Sequence, residues 1–311
     1  MSNKNLQDKG IIYCATGKEL FLNEAYTSIS SIKKYHPHLK ISIFIDEKNL
    51  KKVNKDYFDS IFLIKSPEYG FGDKIYAMKN TPYERTIYLD CDTIITDDIS
   101  EIFEMLKKYD IAASNPPFKN KNYKQTSYQA GIIFYRLNEI TSKFLDLWDQ
   151  SYDRINHGND QPSFRRSLSK LPISLFVFPP NYNFRLPFAS YIHGKIKIIH
   201  DHDLSRVKDK IRQTFIYYLN ESHEERYWFP KKGMLEFPKR NNVFIEIFSI
   251  LKDKTNKRNY HLLSYFPKKK LINYYLIKSF PWLINCIIPK QYRERMKMLE
   301  KEIINFRHNQ T

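Results

Sequence analysis

Two aspartates, Asp90 and Asp92, follow directly on an apolar run, and their types and spacing suit them for chemistry. The segment reads "RTIYLDCDTIITDDISEIF" from Arg85. Two carboxylates at the end of a buried strand repel each other and are costly to bury unless a cation lies between them. A divalent cation held there could bridge the phosphates of a nucleotide diphosphate and neutralise charge as that group leaves.

The context of this pair carries more weight than its spacing. With 18 aspartates in the chain, chance alone gives about one such pair, and Asp201/Asp203 is a second. The first pair follows an apolar strand, where side chains two residues apart point to the same side. It also precedes a helix start, at which Asp98 and Glu101 have the spacing of a capping box. A solvated turn at the strand end remains the alternative interpretation.

Strands and helices alternate along the first half of the chain, and they must position this pair. Hydrophobic periodicity predicts strands at residues 10–16, 39–45, 60–64, 86–90, 110–114 and 131–136, and helices at 19–35, 71–79, 98–108 and 138–155. Such alternation predicts an α/β fold whose mainly parallel sheet is flanked by helices. Ligands bind outside the carboxyl ends of the strands in such sheets, which is where the two aspartates lie.

Composition narrows the class of protein without identifying it. The 311 residues are 42% hydrophobic and 15% aromatic, which predicts a folded chain. The net charge of +17 suits nucleic acid, anionic lipid or phosphorylated substrates. We expect no nucleic-acid partner, because no helix-turn-helix, zinc or RNA-recognition signature is present. The three dispersed cysteines and the polar first ten residues predict a reducing, cytoplasmic location.

The segment "YLDCDTIITDDISEIF" resembles the DxD region of family 8 glycosyltransferases, of the glycogenin and lipopolysaccharide galactosyltransferase type. Other blocks resemble the family in the same order: "IIYCAT", "DKIYAMKNTPYERTIYLD", "YQAGIIFYRLNEIT", "NDQPSFRR", "NYNFR" and "HGKIKIIH". Together they cover roughly residues 10–203. The resemblance implies a GT-A nucleotide-diphospho-sugar transferase fold, a nucleotide-sugar donor such as a UDP-sugar, and transfer with retention.

The resemblance also implies a metal site. The metal ligands of the family match Asp90, Asp92 and His200. Asp90 would contact the ribose as well. Carboxylate oxygens suit Mn²⁺ or Mg²⁺, and an imidazole favours Mn²⁺. His202 is the alternative ligand, since one register step decides between the two histidines. A structural role for either histidine stays open.

Further site residues are assigned by resemblance. The resemblance assigns the nucleotide base of the donor to Tyr13, Ala15 and Thr16, and its phosphates or sugar to Lys74. Gln129 and Gly131 match the strand that contacts the sugar. The chain departs from the family there, because Gln129 and Ala130 replace asparagine and serine. Asp160 and Gln161 match the pair beside the reacting carbon, although a helix N-terminus explains "GNDQP" equally well. The phosphate-binding lysine of the family is not evident after His200, and Arg206, Lys208 or Lys210 could replace it.

The last part of the chain differs in character, and we predict a catalytic domain over residues 1–260 followed by a basic aromatic segment over 261–311. Residues 265–311 hold ten Lys or Arg and three Glu, a net charge of +7. Aromatic and aliphatic residues among cations suit a membrane interface with anionic lipid. The segment predicts peripheral attachment to the inner face of the cytoplasmic membrane, while packing on the catalytic domain is the alternative.

The sequence therefore predicts a metal-dependent glycosyltransferase that acts on a cell-surface glycan or lipid-linked acceptor. Two other classes stay open. "LDCDTIIT" also resembles the first motif of aspartate-nucleophile phosphatases, in which the first aspartate takes the phosphoryl group. However, Ile94 occupies the position of a threonine or valine in that motif. A non-enzymatic nucleic-acid-binding protein is supported by charge alone.

Overall fold

A computed structural model describes residues 6–114, 128–154, 159–220, 225–229 and 234–236. The strands are β1 (Gln7–Ala15), β2 (Lys40–Ile45), β3 (Ser60–Leu63), β4 (Tyr83–Leu89), β5 (Thr93–Ile95), β6 (Ile111–Ser114), β7 (Ile132–Arg136), β8 (Leu175–Phe178), β9 (Ser190–Ile192), β10 (Ile198–His200), β11 (Arg226–Phe229) and β12 (Met234–Glu236). The α-helices are α1 (Glu19–Lys33), α2 (Glu47–Leu50), α3 (Phe71–Lys79), α4 (Ser100–Met105), α5 (Glu139–Ser151), α6 (Gln161–Leu168), α7 (His202–Arg206) and α8 (Asp209–Leu219). Single 3-10 turns lie at Lys55–Tyr57 and Pro180–Tyr182.

Seven strands form the central sheet, in the order β3-β2-β1-β4-β7-β6-β8. All of them run parallel except β7, which is antiparallel to both of its neighbours, β4 and β6. The predicted α/β class with a mainly parallel sheet is therefore confirmed. Because β7 runs the other way, its first residue lies at the same edge of the sheet as the last residue of β4.

Each face of this sheet buries a separate apolar core, because successive residues of a strand point to opposite faces. In β1, Ile11 packs into the core beneath α1 and α4, whereas Ile12 packs into the core beneath α3, α5 and α6. The second core is centred on Trp148, which is fully buried. With both faces covered, polar side chains that serve a ligand have to lie at the edges where strands end.

Two small sheets extend the structure beyond the central one. The strands β5 and β10 pair antiparallel, with His200 opposite Thr93. The strands β9, β11 and β12 form the second small sheet, and Trp228 of β11 packs there with Phe184 and Phe215 in a third apolar cluster. The pairing of β5 with β10 carries His200 across the fold to the turn that follows β4.

Several predicted elements differ in detail from the structure. The helix predicted at residues 71–79 has those bounds, and Asn138 caps α5 with a reciprocal bond to Thr141, as expected. The capping box at Asp98 and Glu101 is wrong, because α4 begins after Ile99 and Glu101 instead accepts a hydrogen bond from Tyr182. Asp98 still accepts the Ser100 N–H. No helix in the described ranges has the length and apolar character to cross a membrane.

Two predicted features lie outside the described residues. One is the polar segment at residues 115–127, between the predicted strands at 110–114 and 131–136. The other is the basic segment at 261–311, together with its predicted boundary at residue 260.

Candidate functional site

Asp90, Asp92 and His200 form a compact cluster at the carboxyl edge of the central sheet. One ligand atom from each lies within 4.8 Å of the others, a spacing suited to one metal ion. The His200 Nε2 atom is 3.3 Å from Asp92 Oδ1 and 3.6 Å from Asp90 Oδ2. Asp92 and His200 are buried, and Asp90 keeps about a quarter of its side chain exposed. The structure therefore brings together all three residues predicted as metal ligands.

The two aspartates converge for a reason other than the one expected from an extended strand. β4 ends at Leu89, and Asp90 to Asp92 lie in a turn before β5 begins at Thr93. The Thr93 hydroxyl donates to the Asp90 carbonyl over 2.9 Å, and the Asp90 N–H donates to the Gly131 carbonyl over 2.9 Å. These backbone bonds, rather than the alternation of a strand, fix the directions of the two carboxylates.

A buried asparagine orients the His200 ring. The Nδ1 atom of His200 lies 3.0 Å from Asn183 Oδ1, and a hydrogen bond from Nδ1–H leaves the Nε2 lone pair on the carboxylate side. An outer partner that fixes the tautomer in this way is typical of histidines that bind metals. Asn183 was not among the predicted site residues, although its block "NYNFR" was part of the family resemblance. The donor set of two carboxylates and an oriented imidazole fits Mn²⁺ or Mg²⁺.

The two carboxylates differ in their electrostatic surroundings. Burial by itself raises the pKa of Asp92, but the nearby His200 and His202 outweigh it and lower that pKa well below its usual value. Burial raises the pKa of Asp90, and Lys74 and His200 offset only part of this effect. The Tyr88 hydroxyl donates to Asp90 Oδ1 over 2.9 Å. Without a cation, the cluster therefore holds Asp92 as the stronger acid.

Gly131 allows the approach of the neighbouring backbone to this cluster. A Cβ at this position would lie 2.5 Å from Asp90 Oδ2 and would collide with the His200 ring. No side chain other than the hydrogen of glycine therefore fits here without moving a candidate ligand. Two residues earlier, Gln129 is buried, and its Oε1 atom has no hydrogen-bond partner among the residues that the structure describes. That oxygen is available to a hydrogen-bond donor.

A buried ion pair lies beside the cluster. The Lys74 ammonium contacts the Asp160 carboxylate and donates to the Ala130 carbonyl over 2.8 Å. Burial alone lowers the pKa of Lys74, but Asp160 and Asp90 outweigh burial and raise it above the usual value. The rings of Phe71, Tyr88 and Trp148 surround the ammonium, with centroids 5.3, 5.5 and 5.8 Å away. Lys74 is therefore a fixed cation between two carboxylates rather than a solvated surface lysine.

The predicted pair at the start of α6, Asp160 and Gln161, makes different contacts. Asp160 is the residue before the first turn of the helix and Pro162 lies within that turn, as the helix N-terminus interpretation expects. The Asp160 side chain makes no capping hydrogen bond, because it faces Lys74 instead. Gln161 is half-buried, and its N–H donates to Asn159 Oδ1. Asp160 thus stands close to the cluster, with Lys74 between it and Asp90.

The three residues predicted to contact the nucleotide base lie at the end of β1 and differ in their exposure to solvent. Tyr13 is fully buried in the core, and its hydroxyl is 2.7 Å from that of Ser28, so its ring presents no surface for stacking. Ala15 is also fully buried. Thr16 is half-buried, and its hydroxyl donates to Asp73 over 2.6 Å. Only Thr16 of the three combines a polar side chain with access to solvent.

The second histidine lies at the margin of the cluster, beside a buried glutamate that sequence reasoning missed. His202 Nδ1 lies 2.9 Å from Glu24 Oε1 and 3.4 Å from Asp92 Oδ2, and the side chain is about half exposed. The Arg206 guanidinium donates to the same Glu24 oxygen over 2.7 Å. Glu24 sits on α1, where only its polarity at a buried helix position could have singled it out. His202 and Arg206 therefore both contact one oxygen of a buried carboxylate at the rim of the site.

Comparisons with known proteins bear on the fold. No protein-family model and no curated protein sequence matches the chain. Among solved structures, the glycosyltransferase GlyE of Streptococcus pneumoniae TIGR4 matches with a TM-score of 0.50 and 15% identity, over 69% of this chain and 60% of GlyE. The chain thus spans less than two thirds of GlyE. An active-site variant of LgtC matches with a TM-score of 0.46 and 13% identity, over 67% of this chain and 95% of LgtC. The chain therefore has the predicted GT-A fold, which it shares with a glycosyltransferase of known structure.

Proposed function

We propose that this protein is a metal-dependent glycosyltransferase that moves a sugar from a nucleotide-sugar donor, a UDP-sugar, to a cell-surface glycan or lipid-linked acceptor. One observation carries the proposal. Asp90, Asp92 and an oriented His200 converge at the carboxyl edge of a mainly parallel sheet, the edge at which such folds bind ligands. The fold shared with GlyE, whose name describes a glycosyltransferase, supports the same activity.

A Mn²⁺ or Mg²⁺ ion held by Asp90, Asp92 and His200 would neutralise the charge that develops on the departing diphosphate. The chain adds cations of its own at the rim of the site. Arg206 and His202 are anchored by Glu24 and can contact the outer phosphate oxygens. We therefore propose that Arg206, rather than Lys208 or Lys210, replaces the phosphate-binding lysine of the family.

The Lys74–Asp160 pair is suited to the sugar side of the reaction. A carboxylate next to the reacting carbon stabilises the positive charge that builds on the sugar ring, or acts as nucleophile. Because Lys74 contacts Asp160 and the Ala130 carbonyl at once, it fixes that carboxylate relative to β7. We assign the sugar hydroxyls to Gln161 and to Gln129, whose side-chain oxygen has no hydrogen-bond partner among the described residues. We propose that transfer proceeds with retention, as the resemblance to family 8 implies.

The aspartate-nucleophile phosphatase has no comparable support, since the fold is one that a glycosyltransferase shares. A thermal-shift screen separates the classes, because a ligand that binds only the folded state raises the melting temperature. We expect UDP-sugars with Mn²⁺ to raise it, and phosphate esters or oligonucleotides with Mn²⁺ to leave it unchanged. Stabilisation by a phosphate ester alone would favour the phosphatase.

The decisive test of the proposed function is Asp92→Asn, assayed by Mn²⁺-dependent hydrolysis of a UDP-sugar. The carboxylate contributes a charged ligand that a carboxamide does not replace, so we expect activity to fall by at least about 10³-fold. Asp97→Asn, an aspartate outside the cluster, is the matched control and should keep its activity. Circular dichroism and the melting temperature check that both variants are folded. Full activity of Asp92→Asn would remove the proposed metal site.

We further propose that residues 261–311 attach the enzyme to the inner face of the cytoplasmic membrane. The net charge of +7 over residues 265–311, with interspersed aromatic residues, supports attraction to anionic lipid. Deleting residues 265–311 should release the protein from vesicles that contain anionic lipid, as measured by co-sedimentation. Vesicles of neutral lipid are the control. Unchanged binding of the shortened chain would contradict the proposal.

A further inference from the structure

One exposed tyrosine near the site has an unusual backbone conformation. Tyr69, in the loop between β3 and α3, is 65% exposed. Its φ of 56° makes it the one residue other than glycine with a positive φ in the described ranges. Bulky side chains rarely adopt this left-handed conformation, and where they do, the surrounding structure enforces it, most often at functional sites.

A buried aspartate holds the loop in this shape. Asp73, in the first turn of α3, accepts the N–H groups of Glu68 and Tyr69 over 2.7 and 2.9 Å. It also accepts the Thr16 hydroxyl over 2.6 Å. Arg154 donates to Glu68 from the opposite side over 2.8 Å. The loop is therefore fixed to the carboxyl end of β1, and the Tyr69 ring is held out towards solvent by several independent bonds.

The Tyr69 ring lies over Gly17, which follows β1. A Cβ at Gly17 would be 3.1 Å from Tyr69 Cδ1, so the absence of a side chain there lets the ring rest against the backbone. The Gly17 N–H donates to Asp46 at the end of β2. In the sheet, β1 is the direct neighbour of β4, whose carboxyl end leads to Asp90. The ring thus lies at the carboxyl end of β1, the strand adjacent to the one that leads to the cluster.

We propose that Tyr69 is the platform on which the base of the nucleotide donor stacks, an inference that rests on the proposed function. The two carboxylates near the ring, Asp46 and Asp73, already accept hydrogen bonds from the protein and are therefore poor candidates to bind the base. Asp46 accepts the Gly17 and Asn49 N–H groups, and Asp73 accepts three donors. The fully buried Tyr13 offers no ring surface. Tyr69 supplies an exposed aromatic face at the carboxyl edge, and every base has a face that stacks on an aromatic ring.

The test is calorimetric titration of the full chain, with Mn²⁺ present, by UDP and separately by inorganic pyrophosphate. We expect Tyr69→Ala to weaken UDP by about 5- to 150-fold, the range for removal of one stacking ring. Pyrophosphate has no base, so its affinity should not change. Tyr69→Phe should retain the affinity for UDP. Tyr69→Gly suits the left-handed backbone and removes the ring, so it should lose UDP affinity without losing thermal stability.

Tyr76→Ala is the matched control, because Tyr76 is an exposed aromatic residue on the adjacent α3, and UDP affinity should be unchanged. If the wild-type protein binds both ligands and Tyr69→Ala or Tyr69→Gly binds UDP as tightly, the platform is refuted and the proposed function stands. The same holds if UDP binds no more tightly than pyrophosphate. If neither ligand binds the wild-type protein with Mn²⁺, the proposed function fails, and the platform fails with it.

Discussion

Charged groups have different neighbours at the two ends of the strands in the seven-stranded sheet, which we call the amino edge and the carboxyl edge. At the amino edge, before β6, Asp110 accepts hydrogen bonds from the Ser174 N–H and hydroxyl, from Asn138 and from Arg136, over 2.6–3.1 Å. These donors outweigh burial and lower the pKa of Asp110 to about 2. Lys40–Asp59 and Arg85–Asp8 are ion pairs at the same edge. Asp110, Asp59 and Asp8 thus each have a basic neighbour within the chain.

At the carboxyl edge, acids lie near other acids as well as near bases. Asp90, Asp92 and Asp201 lie close together, and burial raises the pKa of Asp201 to about 6, with Asp203 and Asp92 adding to the effect. Buried polar atoms without hydrogen-bond partners in the described part of the chain include Gln129 Oε1, Asn183 Nδ2 and Glu24 Oε2. Arg136 Nε is another such atom, at the amino edge, so these groups point to a ligand only where they surround the proposed site. The difference teaches that one edge stabilises the fold, whereas the other is arranged for a ligand.

The largest expected effect comes from the one buried ion pair described at the carboxyl edge, Lys74–Asp160. The variant Lys74→Met leaves Asp160 buried and without its cation, so we expect the free energy of unfolding to fall by about 3–5 kcal/mol. Urea denaturation measures it. The double variant Lys74→Met/Asp160→Leu removes both charges and should recover most of the loss.

The exposed pair Lys143–Glu139 on α5 provides the control for this comparison. Lys143→Met should leave the free energy of unfolding nearly unchanged, because solvent screens both charges. If Lys74→Met proved no more destabilising than Lys143→Met, the carboxyl edge would tolerate an unpaired acid, and the contrast between the edges would be wrong.

An intermediate effect is expected from Gly131→Ala. The new methyl group would displace Asp90 and His200, so the free energy of unfolding should fall by about 1–3 kcal/mol. Mn²⁺ affinity, measured by calorimetry, should fall by about 10–100-fold, as when the support of a metal ligand is disturbed. Gly194→Ala is the control, because Gly194 has a φ of 71° but no atom within 4 Å of its added Cβ. It should cost about 1–2 kcal/mol through the backbone alone and leave Mn²⁺ affinity unchanged. Equal Mn²⁺ affinities in the two variants would contradict the role of Gly131.

The smallest effect belongs to the amino edge. The pKa of Asp110 is lower in the folded protein than in the unfolded chain, so its stabilising contribution is present above pH about 4 and is lost as pH falls towards about 2. Because the group is partly screened by solvent, we expect Asp110→Asn to lower the free energy of unfolding by only about 1 kcal/mol at pH 7.

That difference should shrink as the solution is acidified, when urea denaturation of the wild type and of Asp110→Asn is compared between pH 7 and pH 3. UDP-sugar hydrolysis should be unaffected by the substitution at pH 7. A difference that persists unchanged at pH 3, or a loss of activity, would show that Asp110 does not act as a satisfied structural acid.

Much of this contrast could be predicted from the sequence, because it depends on short-range patterns. Apolar runs of strand length and helical periodicity located most of the central sheet, and the apolar residues before Asp90 placed the pair at a strand end. The block "HGKIKIIH", which is part of the family resemblance, ends in His200, and β10 lies within it. These predictions worked because each depends on residues that are adjacent in the chain.

The sequence could not show what depends on pairing between distant segments. The residues of β7 do not reveal that it runs antiparallel to its neighbours, since the pairing of a strand depends on the whole sheet. The role of Glu24 depends on the contact of α1 with α7, which lie far apart in the chain. Tyr69 carried no motif. Its significance follows from a backbone angle and an exposed ring, both of which are properties of the folded chain.

The pairing of β5 with β10 has a consequence for the order of events during synthesis. Thr93 and His200 become neighbours only after roughly a hundred intervening residues have been closed into a loop, a step whose entropic cost grows slowly with loop length. A ribosome that has released only the first half of the chain presents the two acids without their imidazole. The complete set of ligands that we propose for the metal ion would therefore exist only in the finished polypeptide.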